Sequence, residues 1–558
     1  MKPGLLTWFH TVRYLRPVQI YGRVWFRLYR PSADLSPAAP VRPIHGSWVA
    51  VEHRQQSLLR PWVFRFLNEE HSLDSQNDWD RQNIGKLWRY NLHYFDDLNA
   101  EGTATRTDWH RNLIQRWVSE NPPGQGTGWE PYPTSLRIVN WIKWALRGNS
   151  LEPEWLHSLT AQVRWLTKRL ESHLLGNHLF ANAKALVSAG FYFKGHEAAD
   201  WLERGLSILA REFPEQILSD GGHFERSPMY HALATEDVLD LINLANTYQL
   251  VLPDRWRGFV DTWKESACRM QRWLEAMSHP DGEISFFNDA AIGIAMKPAR
   301  LKRYLLNLTG NDAAKEANSE RPTNGQLQML HLQESGYVRV NDAVSTLLID
   351  AAPVGPDYLP GHAHADTLSF ELSVFGQRVI VNGGTSRYGL GEEREAERGT
   401  PAHSTVTIDG QNSSEVWAGF RVARRAKPQD LSILREHDGV RISCAHDGYC
   451  RLPGRPVHRR TWASRPGSLS VEDSIEGHYT SAVARFHLHP EVICEMSEED
   501  GVGYLKFPAG NSIRWQAKGG KAKIEASQYC PEFGRCLPTQ CISVMMNGET
   551  KMHFELFW

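Results

Sequence analysis

At 558 residues the chain exceeds one ordinary hydrophobic core, so two or more domains are expected. Its 41% hydrophobic and 23% charged residues give a globular composition, and a net charge of -2 provides no general attraction to nucleic acid or acidic membranes. No apolar run approaches the roughly 20 residues that span a bilayer, so no transmembrane segment is expected.

The first element in the chain is an amphipathic basic helix from Thr11 to Tyr29, broken near Pro17. Arg13, Arg16, Arg23, Arg27 and Arg30 interrupt any secretory apolar stretch, which makes the cytoplasm the expected location. A surface helix of the first domain is the simpler reading of this segment. A weak contact with a membrane surface is the other.

Beyond it the pattern is helical. Trp155–Leu175, Glu197–Phe213, Thr235–Leu250 and Trp256–Ala276 carry apolar residues at three- and four-residue spacing. Short breaks such as Leu252-Pro-Asp254 separate them, as in a layer of antiparallel helical hairpins. Seventeen of the 21 tryptophans lie before residue 280.

Three segments in this half are too polar or too glycine-rich for plain core helix. In Gly128–Arg137, Trp129 and Tyr132 stand beside Arg137, which suits a sugar platform: ring faces stack on C–H faces and polar groups bond hydroxyls. The same residues also suit an aromatic-capped helix start opened by Pro133 and Thr134. Gly176-Asn177-His178 precedes an apolar helix, where amide and imidazole can donate to an anion or merely cap. Asp220–His231 places Glu225 and Arg226 just ahead of Tyr230, and a nearby Arg can shift a phenol toward proton exchange.

From about Gln326 the period changes to two. Tyr337–Asn341, Ser345–Ile349, Ser404–Ile408, Ser470–Ile475 and Ala482–Leu488 read as short strands of an antiparallel sandwich. The polar stretch Thr309–Gln326 reads as a linker, which divides the chain into residues 1–325 and 326–558. Within the second part, Gly361-His-Ala-His-Ala-Asp366 runs into Thr367–Val374. Side chains at every second position of an extended chain share one side, so His362, His364 and Asp366 are expected together, and the strand after them has one core face and one toward polar surroundings. Such a cluster suits proton transfer or a metal. Trp417, in a polar loop, reads either as a sugar-stacking ring or as the closure of the sandwich edge. The seven cysteines include no CxxC pair, and free thiols are the default.

Taken in order, Asn177-His178, His223-Phe-Glu-Arg-Ser-Pro-Met-Tyr230, Gly361–Asp366 and Arg398-Gly-Thr-Pro-Ala-His403 resemble the heparinase II/III family of polysaccharide lyases. Tyr230 lies 52 residues after His178 and His362 lies 132 after Tyr230, spacings that also fit. Asn91–Asp96 is similar to the N-terminal domain of members found with bacterial surface-polysaccharide genes. The resemblance covers the chain from about Trp88 onward. It implies an α+β multidomain fold, an incomplete α/α toroid followed by an antiparallel β-sandwich. It implies β-elimination at a uronic acid of an acidic polysaccharide, with no organic cofactor. Asn177 and His178 would neutralise the uronate carboxylate, while Tyr230 and His362 would be acid and base in an order left open. Arg137 and Glu225 would support substrate and Tyr230. A structural zinc would sit on His364, Asn382 and His403, although Asn382 stands where relatives carry Asp and a neutral amide is a poor zinc ligand. Asp366 or a metal-free hydrogen-bonded arrangement are the alternatives there. Family precedent also makes the periplasm an alternative location. Two other functions stay open: a hydrolase, for which Glu225, Asp220, Asp366 and Asp289 form no evident pair, and a non-catalytic protein of surface-polysaccharide biosynthesis.

Overall fold

The computed structural model describes residues 4–52, 54–310 and 327–558, so nearly all of the expected linker lies outside the described residues. Two helices open the chain, α1 (Leu5–Val12) and α2 (Pro17–Leu28), in place of one broken helix starting at Thr11. Pro17 occupies the first position of α2, where its missing N–H is no loss and its fixed φ suits helix entry. The inner side of the pair is packed: Phe26 lies 4.3 Å from His173, and Trp8 meets Trp417 edge-on at 4.9 Å. Its outer side leaves Leu5, Phe9, Ile20, Val24, Trp25 and Leu28 exposed. No helix among the described residues is long and apolar enough to cross a membrane.

A three-stranded meander follows (Leu58–Arg60, Val63–Phe66, Glu69–Ser72), which the sequence reading missed because its strands are three or four residues long. The helical half is built from longer elements, among them Pro131–Leu146, Pro153–Lys168, Gly176–Tyr192, Pro228–Thr247 and Asp254–Ala276. Proline again opens three of these helices. Their shared core is rich in indoles, with Trp117, Trp141, Trp144 and Trp263 fully buried.

The second half is a sandwich of an eight-stranded and a nine-stranded sheet, antiparallel throughout its named strand pairs. Phe370, Trp462, Phe486, Trp515 and Phe554 fill the space between the sheets, with Phe486 and Phe554 stacked at 3.8 Å. The chain is thus the expected α+β arrangement, helices first and sandwich second.

One strand departs from its pattern. Thr367–Ser369 is not extended pairing strand, and Phe370–Val374 is buried on both faces. Its polar face, Glu371 and Ser373, meets the helical half instead of solvent. His279 bonds Ser373 Oγ and Glu371 Oε2, each at 2.7 Å, and Glu371 Oε1 accepts the Phe286 and Asn382 N–H groups. A period of two separates apolar from polar faces but does not say whether the polar face meets water or a partnered polar wall.

Candidate active site

The helix Gly176–Tyr192 begins with a sharp turn: Leu175 has φ 64° and Gly176 φ 55°, and a Cβ on Gly176 would run into Leu359. This turn aims the first helical residues, Asn177 and His178, into the space between the two halves, where the positive end of the helix dipole favours an anion. His178 Nδ1 donates to Glu171 Oε1 at 3.1 Å and its ring lies 4.5 Å from Tyr132. Burial works against the charged imidazole, but the Glu171 carboxylate outweighs it, and the His178 pKa lies above the ordinary histidine value.

Tyr230 enters from the helix Pro228–Thr247, whose cap Ser227 accepts the Tyr230 N–H at 3.2 Å. The same Ser227 hydroxyl donates to the Asp289 carbonyl, so the tyrosine is indexed to that loop. The Tyr230 hydroxyl lies 3.0 Å from that of Tyr388, and its ring lies 3.9 Å from His362. Burial, with Tyr388 and the Asp289 charge adding to it, raises the phenol well above its ordinary pKa.

His362 is oriented by Asp289. Its Nδ1 donates to Asp289 Oδ2 at 2.9 Å, and His364 Nε2 donates to Oδ1 at 2.7 Å. Arg394 clamps both oxygens, one of them at 2.7 Å. Burial alone would raise the Asp289 pKa; Arg394 and the two histidines hold it well below the carboxylate range instead. With Nδ1 committed to a carboxylate, neutral His362 presents a bare Nε2. Asp366 accepts the Asn288 N–H at 2.8 Å, so all three residues of the His-x-His-x-Asp segment address the loop at 288–289 although that segment forms no strand.

Glu225 is buried, its Oε2 has no hydrogen-bond partner among the described residues, and burial pushes its pKa up. It lines a cavity of about 940 Å³ together with Tyr132, Asn177, His178, Tyr230 and His362.

The other expected residues do not reach this cavity. Trp129 is buried in the helical core and donates to the Asn121 carbonyl. Arg137 is fully buried, stacked 3.8 Å from Trp117 and bonded to Gln162 and the His93 carbonyl. Arg226 binds the Ser335 and Phe224 carbonyls, and Trp417 donates to Thr11. These four are positioned as packing and bridging groups. Asp289, Arg394, Tyr388 and Glu171 were not singled out as site residues. Asp289 was visible only as one carboxylate among several, because its partners lie 73 to 105 positions further on.

Of His364, Asn382 and His403, the two histidines meet. His364 Nδ1 lies 3.2 Å from His403 Nε2, a separation that serves a hydrogen bond or two ligands of one zinc. The rest of the donor set is missing. Asn382 Oδ1 already accepts the Ser404 N–H, its amide faces Ser369, and Asp366 is turned to Asn288. Among the described residues no Cys, Asp or Glu joins the pair as a third ligand. These residues do not fit a closed zinc centre, and with both pKa values lowered chiefly by burial they suit a neutral hydrogen-bonded pair.

A helix start, an oriented imidazole and a phenol that keeps its proton thus face one cleft, an arrangement compatible with a polysaccharide lyase. Within that class the chain belongs to the heparinase II/III family: residues 52–311 match the heparinase II/III N-terminus and residues 324–556 the heparinase II/III-like C-terminal domain. A heparin-sulfate lyase of Bacteroides stercoris is 26% identical over 492 residues, covering 77% of this chain and 68% of that protein. FtsZ-localized protein C of Caulobacter vibrioides is 25% identical over 484 residues, covering 80% and 77%. A crystal structure of heparinase III aligns with a TM-score of 0.70 at 19% identity, over 100% of this chain and 87% of that one.

Prolonged dialysis against a chelator is expected to leave Tm unchanged. A drop of several degrees restored by one equivalent of zinc would contradict the metal-free reading of His364 and His403.

Proposed function

We propose that this lyase cleaves a uronic-acid-containing glycan by β-elimination. The observation that carries the reading is the pairing of a bare His362 Nε2, held by Asp289, with a Tyr230 phenol that keeps its proton. The uronate carboxylate lies against Asn177 and His178, with the buried Glu225 beside them. Neutralising that carboxylate lets charge from C5 spread into it as the proton leaves. His362 Nε2 takes the C5 proton, the C4–O4 bond breaks, and Tyr230 gives its proton to O4. A C4=C5 double bond forms in the new non-reducing end, and no water is consumed. The two rings lie in contact, so the proton gained by His362 returns to Tyr230 directly or through solvent before the next turnover.

Hydrolysis is less well supported. It requires two free carboxyl groups across the scissile bond, whereas both Asp289 oxygens are engaged by Arg394 and the histidines. A non-catalytic role is the second reading, favoured only by the likeness to a relative whose name is not that of an enzyme.

The test is ultraviolet absorbance of unsaturated uronate during incubation with a panel of uronate polysaccharides. Tyr230→Phe is expected to lower kcat by about 10²- to 10⁴-fold with unchanged circular dichroism. A folded variant with full activity would remove Tyr230 from the mechanism.

The pH dependence tests the other half of the site. His178 has a raised pKa, so its positive charge is present below that pKa and is lost as pH rises through it. KM is therefore expected to rise on the alkaline side, and Glu171→Gln to move that limb to lower pH. A limb that does not move would show that His178 does not hold the carboxylate.

A further inference from the structure

Most cationic side chains along the cleft are already matched by the protein's own carboxylates. Lys143 and Lys184 share Asp240 at 2.8 and 2.6 Å, and Lys184 also holds Asp237 at 2.7 Å. Arg54 pairs with Glu236 and Arg425 with Asp357, each at 2.6 Å. Nearer the rim, Lys86 faces Glu130 and Arg65 faces Glu70.

Arg23 and Arg421 differ. Both line the cleft, and neither has a carboxylate partner among the described residues. They come from opposite sides: Arg23 lies one turn beyond Gln19 on α2, and Arg421 lies on the short sandwich strand Arg421–Val422. Burial lowers the Arg23 pKa, and the charge of Arg421 lowers it further, so the two guanidiniums sense one another. The Arg421 guanidinium lies 4.7 Å from the Trp8 ring and 4.9 Å from the Trp417 ring. Two guanidiniums facing one cleft without a carboxylate partner favour an anion between them.

Residues beside each arginine reach the His362 segment. Phe420, adjacent to Arg421, lies 6.0 Å from His362 and 5.3 Å from Tyr388. Gln19 donates to the Tyr358 carbonyl at 3.0 Å, four residues before His362.

We propose that Arg23 and Arg421 form a second anionic subsite, which binds the carboxylate, sulfate or phosphate of a sugar neighbouring the cleaved uronate. Resting on the lyase reading above, it makes the N-terminal helical pair part of the substrate site. Guanidinium forks suit such oxyanions because they offer two parallel N–H donors.

Binding separates this proposal from the chemistry. In a Tyr230→Phe background, titration calorimetry with an unsulfated heparosan hexasaccharide is expected to show Kd raised at least about tenfold by Arg23→Gln and by Arg421→Gln. Arg421→Lys should retain part of the affinity, which guards against a folding defect. A second probe is inorganic phosphate at constant ionic strength, which should raise Tm of the parent protein more than that of the double glutamine variant. Equal phosphate shifts would overturn the subsite, as would glycan affinity indifferent to both arginines. Arginine-dependent binding with no unsaturated product from the wild type would sink β-elimination and leave the subsite standing.

Discussion

The burial of one carboxylate organises this molecule. Asp289 is fully buried, and a charge in that position is tolerable only because Arg394, His362 and His364 surround it. Its backbone is used as fully as its side chain: the Asp289 N–H donates to the His362 carbonyl at 2.9 Å, and Ser227 donates to the Asp289 carbonyl. Asn288 adds a reciprocal pair, receiving the His364 N–H and donating its own to Asp366. The loop at 286–289 therefore joins the cap of the Tyr230 helix to the His362 segment of the sandwich. The contact that docks the two halves also sets the distance between Tyr230 and His362.

Two histidine–carboxylate pairs face the cleft with opposite consequences. At His178, Glu171 stabilises a cation, and that cation stands at a helix start where an anion is wanted. At His362, the Asp289 charge is already satisfied by Arg394, so the carboxylate serves to fix the ring and its tautomer. Tyr230 stands between these environments. Burial, with Tyr388 and the Asp289 charge adding to it, keeps its proton in place, as the proposed donation to O4 requires. Difference in surroundings, more than in residue type, divides the roles.

Much of the fold was legible because periodicity reports which face of an element is apolar. The change from a helical spacing to a period of two falls between the last helix of the first half, which ends at Thr309, and the first strand of the second, which starts at Gln328. Periodicity is silent about what covers a polar face, and so Glu371 and Ser373 were expected near polar surroundings and are found sealed against His279. The same limit explains Trp129 and Arg137. An indole beside an arginine looks alike in a sugar platform and in a core, and here Arg137 is satisfied by Trp117, Gln162 and the His93 carbonyl. Asn177, His178, Tyr230 and His362 were legible through local motifs. Asp289, Arg394 and the Arg23–Arg421 pair were not, since each gains its meaning from a residue far away in the chain.

The measurement that bears most directly on this account is nitrogen NMR of isotope-labelled histidines, with His362 assigned through a His362→Gln variant. If Asp289 holds the ring as described, the neutral form of His362 carries its proton on Nδ1 and leaves Nε2 bare, and Asp289→Asn disturbs that tautomer. A proton resident on Nε2 in the folded wild type would contradict the assignment of His362 as base and the role given to Asp289.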